Sequence, residues 1–143
     1  MKKLFILLLF SFSLFAANLD IFAQEMGYER DYATALLKAK KAKKPLIMIL
    51  GADYCPWCRK FENKTLKATT VQSQLKKEFV VLIVDKKYDI KTFPSKYRTQ
   101  FTPRVFFIDT HNENILFETF GYVKKQAFVK NLDKAQNLYR NAK

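Results

Sequence analysis

The chain is poor in cysteine, glycine and histidine, and each shortage removes a class of explanation. Only two of its 143 residues are cysteine, three are glycine, four are proline and one is histidine. So little glycine excludes collagen-like and low-complexity sequence, and no internal repeat is visible. A zinc site needs about four ligands. Two cysteines and His111, which stands in a turn cluster far along the chain, do not supply them, so no metal and no cofactor is expected. The apolar run Leu4–Phe15 is shorter than the roughly 20 residues that span a bilayer. No cysteine follows that run, which argues against a lipid anchor.

What the chain does contain begins with that run. Lys2 and Lys3 precede it, Ala16 and Ala17 end it, and Asn18 and Asp20 close it off. This is the pattern of a bacterial secretory leader over residues 1–17, with a second small-residue exit at Ala23. The reading is a periplasmic protein whose mature part is one domain over residues 24–143. An uncleaved anchor is the competing reading.

Charge is lopsided, with 26 basic against 13 acidic residues and a formal net charge of +13. Without Lys2 and Lys3 the balance is 24 against 13, about +11. Export argues against nucleic acid as the partner. Five lysines fall between Lys38 and Lys44, and more lie near the C-terminus. Solvated helix faces account for most such charge. Weak attraction to an anionic membrane surface or an acidic partner is the alternative.

Periodicity gives the order of elements. Tyr28, Tyr32, Leu36, Ala39 and Ala42 recur at helical spacing over Tyr28–Lys44, and Pro45 stops that helix. Leu46–Leu50 and Val80–Val84 are continuous apolar runs of strand length, as expected for strands buried on both faces. A helix from Pro56 to about Lys64 and a second carrying Val71, Leu75 and Phe79 lie between them. A short helix is expected around Ser95–Thr99. Arg104–Asp109 and Ile115–Phe120 read as a hairpin about the turn cluster Thr110–Asn114, with Gly121 ending it. Lys124 to about Tyr139 is a last amphipathic helix, with Phe128, Leu132, Ala135 and Tyr139 inward. The class is α/β: a mixed sheet of about four strands flanked by helices.

Both cysteines lie in the run Asp53-Tyr54-Cys55-Pro56-Trp57-Cys58, between the first strand and a helix. A bridge between them closes so small a loop that it adds little stability, so a simple staple is disfavoured against a redox dithiol. Cys55 falls at a helix N-terminus, where unpaired N–H groups favour an anion. Thiols in such settings have pKa values lowered to roughly 3.5–7.5. Pro56 suits the first helical position, and Cys58 lies one turn in. Arg59 and Lys60 add positive potential and Asp53 opposes it. Trp57 either packs beside the sulfurs or meets a substrate. Thr102-Pro103 before an apolar strand either blunts an edge or marks a cis peptide.

Cys55-Pro56-Trp57-Cys58 after a buried strand, Thr102-Pro103 before the hairpin and Gly121 after it together resemble the thioredoxin superfamily, over roughly Tyr28–Asn137. The runs Ala39–Pro45 and Cys58–Glu62 are similar to periplasmic thioredoxin-like thiol:disulfide interchange proteins such as the C-terminal domain of DsbD. The resemblance implies a thioredoxin fold and a protein-disulfide oxidoreductase, more reductase or interchange protein than oxidase. It implies that Cys55 is the nucleophile, that Cys58 resolves, and that the two form the redox disulfide. It also implies that Pro103 is cis against them and that Thr102 pairs with an extended substrate segment there, which together with Trp57 makes Thr102 and Pro103 the expected substrate contacts. The partners it implies are protein thiols and disulfides and a membrane or periplasmic redox partner, the protein itself acting as a monomer. One departure matters. Many thioredoxin-like reductases carry a buried acid six residues before the first cysteine and a lysine on the next strand, and here these positions are Ile49 and Val81. Water and the substrate, or Asp53 at the rim, must then take the proton. Arg104 after the proline is expected to place a cation near the substrate groove. The second functional reading is a binding or assembly module of the same fold that docks through its basic faces.

Overall fold

The computed structural model describes residues 17–142. The leader read over residues 1–17 lies outside them, apart from its last residue. Five α-helices and four strands follow in the order α1 (Ala17–Met26), α2 (Tyr32–Ala42), β1 (Leu46–Gly51), α3 (Pro56–Phe61), α4 (Thr69–Glu78), β2 (Val80–Asp85), β3 (Arg104–Ile108), β4 (Ile115–Phe120) and α5 (Lys125–Asn141). A π-helical turn, Glu62–Leu66, continues α3, and a 3₁₀ turn, Ser95–Tyr97, precedes β3.

The sheet runs β2-β1-β3-β4. β1 and β2 are parallel, with Leu46 opposite Val80 and Gly51 opposite Asp85. β3 is antiparallel to β1, and β4 closes the expected hairpin against β3. Every residue of β1 and β2 is buried, which is why both read as unbroken apolar runs rather than alternating ones. The period-2 geometry of a strand divides their side chains between two cores. Ile47, Ile49, Val81 and Ile83 pack beneath α1, α3, α4 and α5. Leu46, Met48, Leu50, Leu82 and Val84 face α2 and Tyr97.

The first helical stretch starts later than its periodicity predicts, and another helix precedes it. The helix read from Tyr28 begins at Tyr32, because the Asp31 side chain accepts the Thr34 N–H at 2.8 Å and caps it there. Tyr28 and Glu29 run instead beside β2, with the Glu29 N–H donating to the Val81 carbonyl and the Ile83 N–H to that of Glu29. α1 was not anticipated, since its residues follow directly on the apolar leader. It is part of the core: Phe22, Ala23 and Met26 are buried, and Arg30 holds Asp20 at 2.6 Å. A leader cut at Ala23 would take Phe22 and Ala23 with it. A chain beginning at Gln24 is therefore expected to be less stable than one beginning at Asn18 by about 3–5 kcal/mol, the cost of emptying a buried phenylalanine site. Urea unfolding of the two chains measures it, and equal midpoints would remove α1 from the core.

Candidate active site

β1 leaves the sheet at Gly51, whose carbonyl accepts the Lys86 N–H at 2.9 Å. The chain turns through Ala52–Tyr54, with Tyr54 in the left-handed region at φ 54. Cys55 is the N-cap of α3, extended at φ −107 and ψ 93, and Pro56 takes the first helical position. Its fixed φ and missing N–H cost nothing there.

Cys55 and Cys58 are joined as a disulfide, with Cα atoms 5.2 Å apart. They are not equivalent. Cys55 is partly exposed, whereas Cys58 is 2% exposed. The Cys58 N–H donates to Cys55 Sγ at 3.2 Å, and the Arg59 N–H donates to the Cys55 carbonyl at 3.1 Å. The exposed sulfur thus sits where the helix's unpaired donors point.

Thr102 and Pro103 reach the same place from the start of β3, the strand beside β1. Their peptide bond is cis, and the Thr102 hydroxyl donates to Cys55 Sγ at 3.5 Å. The Pro103 carbonyl accepts the Gly121 N–H at 2.8 Å, so the start of β3 and the end of β4 hold one another beside the disulfide. Trp57 is 56% exposed. It stacks on Tyr122 with ring centroids 6.2 Å apart, and Lys60 Nζ lies 4.9 and 4.8 Å from the two centroids. Such a cation–π arrangement fixes the indole as a platform beside the sulfurs. Phe101 and Phe120, each 70% exposed, extend that apolar rim.

The cations near the motif are more engaged than the sequence reading expected. Arg104 is not free toward a groove: it forms a two-pronged pair with Glu118 at 3.1 and 2.6 Å and lies over Phe106 and Phe120. Asp53 is exposed and lines a cavity of about 380 Å³ with Asp20, Arg30, Asp85, Tyr88 and Asp89. Ile49 and Val81 are buried in the core beneath α3. His111 is in the turn at the far end of the sheet, its Nδ1 2.6 Å from Asp109 and its ring stacked on Tyr139.

Two residues of the site went unassigned in the sequence. Tyr122 has no local signal, since its partner Trp57 is far away in the chain. Glu62 had one: it follows Cys58 by four residues, which places both on one helical face. Its side chain is buried, with Oε1 2.8 Å from Arg59. Burial holds its carboxyl above the ordinary value of 4.5, against the opposing pull of Arg59 and Lys67.

Comparison with known proteins agrees with this fold. A family model described as a thioredoxin-like domain matches residues 32–136. No curated protein matches the chain at a significant level. Among solved structures, a thioredoxin from Thermus thermophilus superposes with a TM-score of 0.65 at 22% identity, covering 75% of this chain and 85% of that one. A DsbH oxidoreductase gives 0.64 at 22% identity, covering 77% and 84%. The oxidised C-terminal domain of Neisseria meningitidis DsbD gives 0.59 at 19% identity, covering 76% and 98%.

Proposed function

This chain belongs to the thioredoxin-like domain family, and on that premise we propose that it is a periplasmic thiol–disulfide oxidoreductase acting on protein substrates in the reducing or interchange direction. The observation that carries the reading is the asymmetry of the dithiol: a partly exposed Cys55 at the start of α3, a buried Cys58 behind it, and Thr102 bonded to the more exposed sulfur. Export rests on the sequence pattern of residues 1–17, and the direction on likeness to reducing members of the family.

In the reduced protein the Cys55 thiolate attacks one sulfur of a substrate disulfide. The other substrate sulfur leaves as a thiolate and takes a proton. Cys58 then gives up its proton and attacks Cys55 Sγ, which expels the second substrate sulfur and leaves the Cys55–Cys58 disulfide. Two electrons pass to the substrate, and a dithiol donor must restore the protein. An extended substrate segment is taken to lie along Thr102-Pro103 as a short added strand, with Trp57 and Phe101 flanking it. The test is insulin reduction by dithiothreitol. The protein is expected to accelerate it, and a rate equal to that of the reagent alone would overturn the assignment.

The proton of Cys58 needs an acceptor, and neither Ile49 nor Val81 can be one. Glu62 is the buried carboxylate on the same helical face, and its raised pKa moves it toward the range useful to a base at neutral pH. Glu62→Gln is expected to slow resolution of the mixed disulfide on the order of a hundredfold while leaving the first attack intact. Stopped-flow exchange with a chromogenic disulfide separates the two steps. Stability gives an independent check. A carboxyl whose folded pKa is raised binds protons better folded than unfolded, so the native protein loses stability as pH rises from the ordinary value through the folded one. The Gln variant should lack that decline. Unchanged resolution in the variant would return the role to water or Asp53.

A further inference from the structure

Three helices end at the pole of the molecule opposite the dithiol. α2 leads into β1 at Leu46 and α4 into β2 at Val80, and these two strand starts are paired side by side. α5 reaches the same edge, where Gln136 donates to the Glu78 carbonyl at 2.7 Å and the hydroxyls of Tyr139 and Thr110 lie 2.8 Å apart. All three helices carry cations in their last turn: Lys40 and Lys41 in α2, Lys76 and Lys77 in α4, Arg140 in α5. Lys43 caps α2, and the Lys44 ammonium donates to the Lys76 carbonyl at 3.2 Å, joining two of the ends.

Favourable interaction with helix dipoles explains one cation per helix end. It does not explain the alignment of three ends, nor the groove between α2 and α5. That groove encloses about 730 Å³ and is lined by Lys40, Lys43, His111, Tyr139 and Arg140, with Thr110 and Gln136. Two carboxylates at this pole are already engaged: Glu113 holds Lys40 at 3.1 Å and the buried Asp109 takes the His111 ring at 2.6 Å. Glu78 accepts from the neutral Gln74 amide at 3.3 Å and offsets one of the cations. Among the described residues, Lys41, Lys43 and Lys77 form no ion pair or hydrogen bond through their ammonium groups, and Arg140 bonds only Asn137 of its own helix.

We propose that this pole docks on the phosphate headgroups of an anionic lipid surface, with Lys43, His111 and Arg140 around one phosphate and Lys41, Lys76 and Lys77 against its neighbours. An acidic protein is the less suitable occupant. Protein interfaces are poor in lysine and centred on aromatic contacts, whereas the exposed aromatics Tyr54, Trp57, Phe101 and Phe120 lie at the dithiol end, and α2 and α5 expose the isolated aliphatic side chains Leu37 and Leu138. A lysine-rich surface without an aromatic centre is what a charged bilayer attracts. Docking in this sense turns the disulfide away from the lipid and toward soluble substrates. The inference does not depend on the redox reading.

Cosedimentation with phosphatidylglycerol/phosphatidylcholine vesicles tests it. Binding is expected at low salt, with loss as salt is raised and none on pure phosphatidylcholine. The triple variant Lys41→Gln, Lys43→Gln, Arg140→Gln should bind on the order of a hundredfold more weakly. A charge-matched control, Lys64→Gln, Lys91→Gln, Lys125→Gln, should lose much less, and insulin reduction should be unchanged in both. Equal losses in the two variants would reduce the effect to net charge and overturn the proposal. Absence of vesicle binding by the native protein would also overturn it. Retention on immobilised polyglutamate without vesicle binding would assign an acidic protein instead. Resonance shifts of pole residues with inorganic phosphate, again without vesicle binding, would assign a free anion.

Discussion

Replacing Cys58 with serine is expected to stop turnover after the first exchange and leave the protein joined to its substrate through Cys55. The native protein passes through the same mixed disulfide, but Cys58 lies one helical turn away and cleaves it. Its bridge to Cys55 shows that this backbone holds the two sulfurs within bonding reach. Serine keeps the size of the side chain and removes the nucleophile. The mixed disulfide should then accumulate to near one equivalent, visible as a band that disappears on reduction, while catalysed insulin reduction falls to the rate of the reagent alone. Cys55→Ser should abolish reduction just as fully yet trap nothing. The reason is access and charge. Cys58 is 2% exposed and has no open face for a protein disulfide. Cys55 is open, and its sulfur receives the Cys58 N–H and the Thr102 hydroxyl. Hydrogen bonds to the charged form favour that form, so once the bridge is opened these donors stabilise the attacking thiolate. Trapping by Cys55→Ser and none by Cys58→Ser would reverse the roles.

How far the sequence could be read depended on whether a feature was local. β1 and β2 announce themselves as unbroken apolar runs, because a strand covered on both faces has no polar side to show. The start of α3 is equally local, as strand, Cys55, Pro56 and Cys58 follow one another within a few residues. Thr102-Pro103 was visible as a motif, but not its approach to Cys55, which the sheet creates by setting β3 beside β1. Pairings across the sheet were out of reach for the same reason: Trp57 with Tyr122, and Arg104 with Glu118, which converts an expected free cation into a neutralised one. α1 was hidden by its neighbour, since its apolar residues continue the composition of the leader. Glu62 shows a different limit. Its spacing from Cys58 could be read, but a glutamate on a helix is ordinarily solvated. Only the packing of the π-helical turn against α4 and α5 buries it and raises its pKa. The Thr65 hydroxyl secures that turn, donating to the Val123 carbonyl at 2.6 Å.

Among single substitutions, the largest loss of stability is expected from Phe61→Ala. Phe61 lies three residues beyond Cys58, at the end of α3, and is 1% exposed. Its ring meets Phe128 of α5 edge-on at 5.2 Å, and Phe128 lies 6.2 Å from Phe107 of β3, which stacks on Phe117 of β4 at 4.3 Å. One side chain thus ties the active-site helix to α5 and, through it, to the outer half of the sheet. Truncation to alanine leaves a cavity between elements that cannot all close on it, and costs about 3–5 kcal/mol. Part of that loss is the aromatic pairing itself, worth about 0.5–1.5 kcal/mol beyond buried area. Set against a total of about 5–15 kcal/mol for a domain of this kind, the variant should melt roughly 10–20 °C lower. Phe61→Leu fills more of the space and should lose less. Thermal unfolding of both variants with the disulfide intact measures the effect, and a shift of only a degree or two in the alanine variant would show that α3 is held by something else.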